Sequence, residues 1–462
     1  MFKKILLVLV VLIGATIGYY YSDISKALNT ATGFTAKNLC SGHYNSGYRL
    51  ERFMREALIP VNPVFEYVSF EHDEKRKLIR TSIFGMKSRT AQYRDGLGCT
   101  LLGVDQEFLT GNIKTLVSYL NDPASPWPEG NGLAPEKDYI NYQALQQSID
   151  DAFAETETTG MRQTKAIMVV HKGELIAERY ANPITSSTPS LSWSMAKSIT
   201  NMLIGALVQD NKLDINAAAP IEAWQNDARS DITLDMLLRM SSGLAFDENY
   251  SINTDATLML SNETSASEYA LNMPLQHPVD TYWSYSSGTS NILARITYET
   301  IGGNLQDKYN YIQDALFEPL GIRSATMETD GSNVFIGSSY FYASPHDYAK
   351  LGLLLLQDGY WKGQQVLPTG WVDYSKKPTP TALNREYGAH FWLNSAPRNN
   401  SWRPPWPDAP SDAYFMSGYQ GQFLIMIPSE ELVVLRLGYT YPGTNAGINE
   451  LLSGIISALN NQ

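Results

Sequence analysis

Trp193-Ser194-Met-Ala-Lys197-Ser-Ile-Thr-Asn-Met-Leu-Ile-Gly-Ala-Leu207 is the stretch on which the reading of this chain turns. Ile199, Met202, Leu203, Ala206 and Leu207 recur at the spacing of one helical face, so a helix is expected from Ser194 to about Gln209. Residues i and i+3 share a face, which lets the Ser194 hydroxyl meet the Lys197 amine. A serine hydroxyl is a weak nucleophile until a neighbouring base takes its proton. A lysine serves as that base only where burial or a nearby cation lowers its pKa. At a helix N-terminus the serine would also stand beside free backbone N–H groups able to face a developing oxyanion. Alone, the tetrad has low specificity: a capping serine followed by a surface lysine reads the same way.

Outward from this helix the elements alternate in kind. Ala166-Ile-Met-Val-Val170 and Leu175-Ile-Ala-Glu-Arg-Tyr180, separated by His-Lys-Gly-Glu, read as strand, turn and strand. Ile232 to Met240 and residues 347–357 read as helices, the second of them buried. Gln422-Phe-Leu-Ile-Met-Ile427 and Leu432-Val-Val-Leu-Arg-Leu437 form a second hairpin, and a last helix is expected from Ile448 to Leu459. Strands at both ends with helices between them predict an α+β unit: one antiparallel sheet built from both ends, with a helical insertion.

Two further stretches carry chemistry. Tyr282-Trp-Ser-Tyr285-Ser-Ser-Gly288 is polar and aromatic and precedes a helical run. A tyrosine beside a lysine can pass protons to a leaving group, although a structural tyrosine in a loop is the plainer alternative. Met416-Ser-Gly418-Tyr-Gln-Gly-Gln422 opens the C-terminal hairpin. Small residues there let backbone approach a ligand closely, and the N–H groups at 418–420 are candidates for an oxyanion donor. The plainer alternative is an ordinary glycine-bearing turn.

In this order and spacing the three stretches resemble the serine β-lactamase and penicillin-binding-protein superfamily, over roughly residues 141–460. They stand for its Ser-x-x-Lys tetrad, its tyrosine loop and its Lys-Thr-Gly-like strand. Ile232-Thr-Leu-Asp-Met-Leu-Leu-Arg-Met-Ser-Ser-Gly-Leu244, Asp347-Tyr-Ala-Lys-Leu-Gly352 and Asp358-Gly359 are similar to supporting segments. The chain looks closest to the class C-like branch that holds esterases and 6-aminohexanoate-dimer hydrolases, whose β-lactamase/transpeptidase-like fold it is expected to share. Phe246-Asp-Glu-Asn-Tyr250 is similar to the segment where those hydrolases place a substrate-contacting tyrosine. The resemblance implies that Ser194 is acylated, that Lys197 and Tyr285 move protons, and that the amides of Ser194 and about Tyr419, beside Gly418, hold the oxyanion. Tyr250 and Ser287 are implied substrate contacts. Two positions depart from the pattern: Ser287 stands where the second motif has Asn, and Met416 where the third has Lys. Losing that cation removes a charge-assisted hydrogen bond of roughly 1.5–3 kcal/mol to a substrate carboxylate. Esters or uncharged amides are therefore favoured over penicillins. The alternatives are a covalent sensor or penicillin-binding module with little turnover, and a D-alanyl-D-alanine peptidase or β-lactamase.

Composition bounds the rest. The chain has 462 residues, 44% hydrophobic and 18% charged, with net charge −12. Such an acidic chain lacks the basic footprint of a nucleic-acid binder. No Gly-x-Ser-x-Gly elbow is present, and none of the six histidines has the context of a Ser-His-Asp site. No metal-ligand spacing appears, and neither metal nor cofactor is expected.

Lys3 and Lys4 precede an uncharged stretch from Ile5 to Tyr21, which reads as an export signal or an uncleaved membrane anchor at residues 1–23. The rest is then expected in the periplasm or outside. Cys40 and Cys99, the two cysteines, are expected to pair in such a compartment, a closure worth about 4 kcal/mol. Residues 24–140 read as an N-terminal extension with a charged patch at Glu71-His-Asp-Glu-Lys-Arg-Lys77, and residues 141–462 as the hydrolase domain. Near the end of the extension, Pro and Gly at 122–132 predict a linker or irregular loop.

Overall fold

A single uninterrupted helix, α1 (Phe2–Tyr44), opens the chain. The computed structural model describes residues 2–460 apart from 105, 116–123, 157–159 and 396–402, with side chains from residue 21 onward. Residues 2–23 of the expected export or anchor segment form the first half of α1, and the side chains through residue 20 lie outside the described residues. Among the described residues no helix is long and apolar enough to cross a membrane.

The second half of α1 is buried through Ala36, Leu39 and Cys40. It lies against a four-stranded antiparallel meander: β1 (Val68–Asp73), β2 (Leu78–Ile83), β3 (Lys87–Arg94) and β4 (Gly98–Leu101), paired in that order. The charged patch at 71–77 is the end of β1 and the turn into β2. Cys40 of α1 and Cys99 of β4 are joined by a disulfide with a Cα–Cα distance of 6.0 Å, as the cysteine count predicts. The Pro/Gly-rich stretch is a loop over residues 124–132, and it is pinned in place. Trp127 is buried, and its indole N–H donates to the His346 carbonyl at 3.3 Å.

The remaining elements build an α/sheet/α stack. Asn141 caps α2 (Tyr142–Phe153) by accepting from the Ala144 N–H. There follow β5 (Thr164–His171), β6 (Glu174–Tyr180), α3 (Ala196–Gln209), α4 (Ser287–Ile301) and α5 (Pro345–Leu356). The chain closes with β7 (Trp392–Leu393), β8 (Tyr414–Gly418), β9 (Gln422–Ile427), β10 (Leu432–Gly438) and α6 (Ile448–Asn460). The six strands pair antiparallel in the order β7-β8-β9-β10-β5-β6, so the two ends of this region meet where β10 pairs with β5. Alternation sorts the side chains. Met168, Val170, Leu424, Met426, Val433 and Leu435 face the core under α5, while Ile167, Val169, Ile425, Ile427 and Val434 face α2 and α6. Both faces are covered, which is why these strands read as near-continuous apolar runs. One expectation changes: Met416–Gly418 is the end of a separate strand, β8, so the C-terminal hairpin is a three-stranded meander.

The extension shares the main core with this body. Lys37 of α1 forms a buried ion pair with Glu328. Glu328 also accepts from Ser41 at 2.8 and 2.9 Å, from Asn45 at 2.8 Å and from the Cys99 N–H at 2.6 Å. Four donors from the extension thus converge on one carboxylate of the body, the arrangement a buried charge requires.

Candidate active site

Ser194 lies in one 3₁₀ turn, Trp193–Met195, that leads directly into α3. Lys197, one turn on, is 1% exposed at most and brings its Nζ to 3.1 Å from Ser194 Oγ. The same nitrogen lies 3.0 Å from Ser287 Oγ and 3.1 Å from the Ser338 carbonyl. Burial lowers the Lys197 pKa to about 8, against the opposing pull of the Glu248 charge. Three partners suit both protonation states. The ammonium donates to all three, and the neutral amine donates to Ser287 and Ser338 while its lone pair faces the Ser194 hydroxyl.

Tyr285 stacks over this group, its ring centre 4.8 Å from Lys197 Nζ. The ring is fixed by Trp392 at 5.2 Å and Tyr387 at 5.7 Å. Burial, then the Glu248 charge, hold its phenol well above the usual tyrosine pKa, while hydrogen bonds with Ser194 and Trp392 pull the other way. A lysine moved toward neutrality beside a tyrosine kept protonated can serve as a base–acid pair.

Glu248 organises the far side. Its carboxylate accepts from the Ser287 N–H at 2.6 Å, from the Ser287 hydroxyl at 2.6 Å and from the Tyr250 hydroxyl at 2.9 Å. Tyr250 also lies 3.2 Å from Ser287 Oγ, although its ring is 54% exposed. Ser287 begins α4, so an anion here meets the free N–H groups and positive end of that helix.

The third stretch stands against the nucleophile turn. A Cβ on Gly418 would lie 2.1 Å from the Ser192 carbonyl, a contact only glycine permits. Trp193 carries a left-handed φ of 45°, uncommon for a bulky residue and held only where surroundings dictate it. Those surroundings are Phe34 of α1, stacked at 6.1 Å, with Tyr340 at 5.7 Å and Tyr419 at 5.9 Å. Gln420 ties them together. Its Oε1 accepts from the Trp193 indole at 3.2 Å, and its Nε2 donates to the Ala57 carbonyl of the extension at 2.9 Å. Behind the turn, the buried Arg436 guanidinium donates to the carbonyls of Gln420 at 3.3 Å and Gly421 at 2.6 Å.

The structure therefore brings Ser194, Lys197, Tyr285, Ser287 and Tyr250 into one cluster of contacts, with Gly418 and Tyr419 against the adjoining residues Ser192 and Trp193. Cys40 and Cys99 lie in the extension and take no part. Met416 is wholly buried in the core. Sequence reasoning missed Glu248, which stands inside the quoted Phe246–Tyr250 segment, and it missed Trp193, Gln420 and Ser338. His390 is buried beneath the site, but its ring nitrogens engage Ser290 at 2.8 Å and the Leu238 carbonyl at 2.6 Å. Burial lowers its pKa to about 3, so it is a neutral structural imidazole. Among the described residues no cluster of His, Cys, Asp or Glu is arranged to hold a metal ion.

The Beta-lactamase family model matches residues 149–445. The chain belongs to the beta-lactamase family. The matched region contains the whole site, and residues 1–148, the extension included, fall outside it. The 6-aminohexanoate-dimer hydrolase of Paenarthrobacter ureafaciens is 21% identical over 323 residues, 66% of this chain and 79% of that protein. A putative 6-aminohexanoate-dimer hydrolase from Bacillus anthracis superposes with a TM-score of 0.55 at 21% identity, covering 71% of this chain and 86% of that one. A penicillin-binding-protein homologue from Caulobacter crescentus gives 0.53 at 16% identity over 71% and 98% of the two chains. These likenesses establish the beta-lactamase fold of the body.

Proposed function

We propose that the protein is an exported serine hydrolase that cleaves an ester or uncharged amide through an acyl-Ser194 intermediate. The observation that carries this reading is Lys197: a fully buried amine, lowered to about 8, 3.1 Å from a serine hydroxyl. Neutral Lys197 takes the Ser194 proton as Oγ attacks the substrate carbonyl. The oxyanion is held by backbone N–H groups of Ser194 and the Gly418–Tyr419 turn. Tyr285, protonated at rest, donates to the leaving alcohol or amine, and Lys197 returns its proton along the same contacts. Water then attacks the acyl ester, assisted by the reverse transfers, and releases the acid.

Glu248, with Ser287, orients Tyr250 toward the substrate. With Met416 in place of a lysine, nothing at that position answers a substrate carboxylate, which supports neutral esters and amides over penicillins. The paired cysteines support an oxidising compartment, and the basic start with an uncharged run at 5–21 supports export with retention as an anchor. The test is turnover of p-nitrophenyl butyrate by the full-length chain and by Ser194→Ala. Sustained turnover in the first and none in the second is expected; a folded wild type that neither turns over nor acylates would sink the reading.

A further inference from the structure

The heights of several contacts along α1 show which end of the molecule bears its apolar tip. The Tyr44 ring stacks on Tyr93 at 4.8 Å, and the Thr32 carbonyl accepts from Thr81 at 2.7 Å. The sheet thus climbs α1 toward its N-terminal half. Three residues beyond Thr81, about 10 Å of strand, bring the β2–β3 turn roughly level with Ser25, since a helix rises about 1.5 Å per residue. On the opposite side of α1, Asn253 donates to the Asp23 carbonyl at 3.0 Å and Asn262 to Thr30 at 3.0 Å. The helix therefore leaves the body between the β2–β3 turn and the 248–253 loop. Its next residues in sequence are the uncharged run 5–21, reached with no linker between.

Both flanks carry exposed apolar side chains at this level. Phe84 is 65% and Met86 63% exposed, and the Tyr67 ring lies 5.8 Å from Phe84. Across the helix Ile252 is exposed beside Tyr250, whose hydroxyl reaches Ser287. Arg80, Lys87 and Glu71, two cations and one anion, line a hollow of about 230 Å³ behind the Phe84–Met86 tip. Exposed aromatic and aliphatic side chains with cations beside them, at the root of an uncharged helix, match a bilayer interface.

We propose that this end of the molecule rests on the membrane surface, with the β2–β3 turn dipped into the interface and the Tyr250 edge of the site facing the bilayer. The proposal rests on the serine hydrolase reading and narrows its substrate to an amphiphile whose ester or amide lies at the headgroup level. Acyl transfer to Ser194 would release the alcohol or amine, and water the acid.

The experiment uses the full-length chain reconstituted in phosphatidylcholine–phosphatidylglycerol vesicles. Because Cys40 and Cys99 are paired, an NBD probe can be placed through Met86→Cys, with Asp95→Cys, at the far end of the sheet, as control. Spin-labelled acyl chains are expected to quench the probe at 86 and not at 95; equal quenching or none overturns the orientation, whatever the activity. Phe84→Asp with Met86→Asp is expected to lower turnover of p-nitrophenyl palmitate in the bilayer at least tenfold while p-nitrophenyl butyrate stays within twofold. Undiminished palmitate turnover would overturn the interfacial role. A quenched probe with no butyrate turnover in the wild type would uphold the membrane contact and strike the hydrolase reading instead.

Discussion

Lys37 in the extension and Lys197 in the hydrolase body are both buried to 1% exposure, and the two regions treat them in opposite ways. Lys37 touches a carboxylate, Glu328, which gathers three further donors. Lys197 touches none: Glu248 reaches it only through the Ser287 hydroxyl. Burial lowers both amines. In the extension the ion pair answers the charge and ties two regions together. In the body the charge is left poorly answered, so the proton is easily lost. A buried lysine with a direct anion is a fastener; one held a hydroxyl away from its anion is suited to be a base.

Substitutions at the two lysines should separate these roles. Lys197→Ala is expected to lower kcat for p-nitrophenyl butyrate roughly 10³-fold, with little loss of melting temperature. Lys37→Met should do the reverse, costing about 3–5 kcal/mol in denaturant unfolding because Glu328 loses its counter-charge, while the folded fraction keeps its kcat. If Lys37→Met lost turnover selectively, the contrast would fail. Removing the disulfide through Cys40→Ala with Cys99→Ala should cost up to about 4 kcal/mol, again with turnover kept per folded molecule. Gln420→Leu tests the hydrogen-bonded link from Ala57 of the extension to Trp193 beside the site. Cutting Ala57 and Trp193 loose from the Gly418–Tyr419 turn should lower kcat/KM about tenfold, less than loss of an oxyanion donor itself.

The smallest effect is on pH. The base must be neutral, so kcat/KM should rise as pH climbs through about 8, the Lys197 value. Glu248 holds that value up by favouring the cation. Glu248→Gln should therefore move the rise to lower pH, seen in a kcat/KM–pH profile.

Locality decided what could be read in advance. Ser194 and Lys197 are three residues apart on one helix, and the apolar periodicity that reveals the helix also sets their geometry. The β5–β6 and β9–β10 hairpins are legible because each strand pairs with its neighbour and is buried on both faces. Glu248 was hidden because its partner, Ser287, stands 39 positions away, and nothing near Glu248 marks it as set against a helix N-terminus. Gln420 was hidden for a similar reason: its contacts are Trp193 and Ala57, hundreds of residues upstream. The extension was least legible. β1 is largely exposed and ends in a charged turn, so its alternation is masked.

The central claim is that Ser194 carries the acyl group. The most direct measurement is acid quench of the full-length chain during turnover of a slow p-nitrophenyl ester, followed by intact mass and peptide mapping. The account predicts a single acyl mass on the peptide containing Ser194, absent in Ser194→Ala and accumulating in Lys197→Ala only at far slower rates. An adduct on another residue, or full turnover by Ser194→Ala, would contradict it.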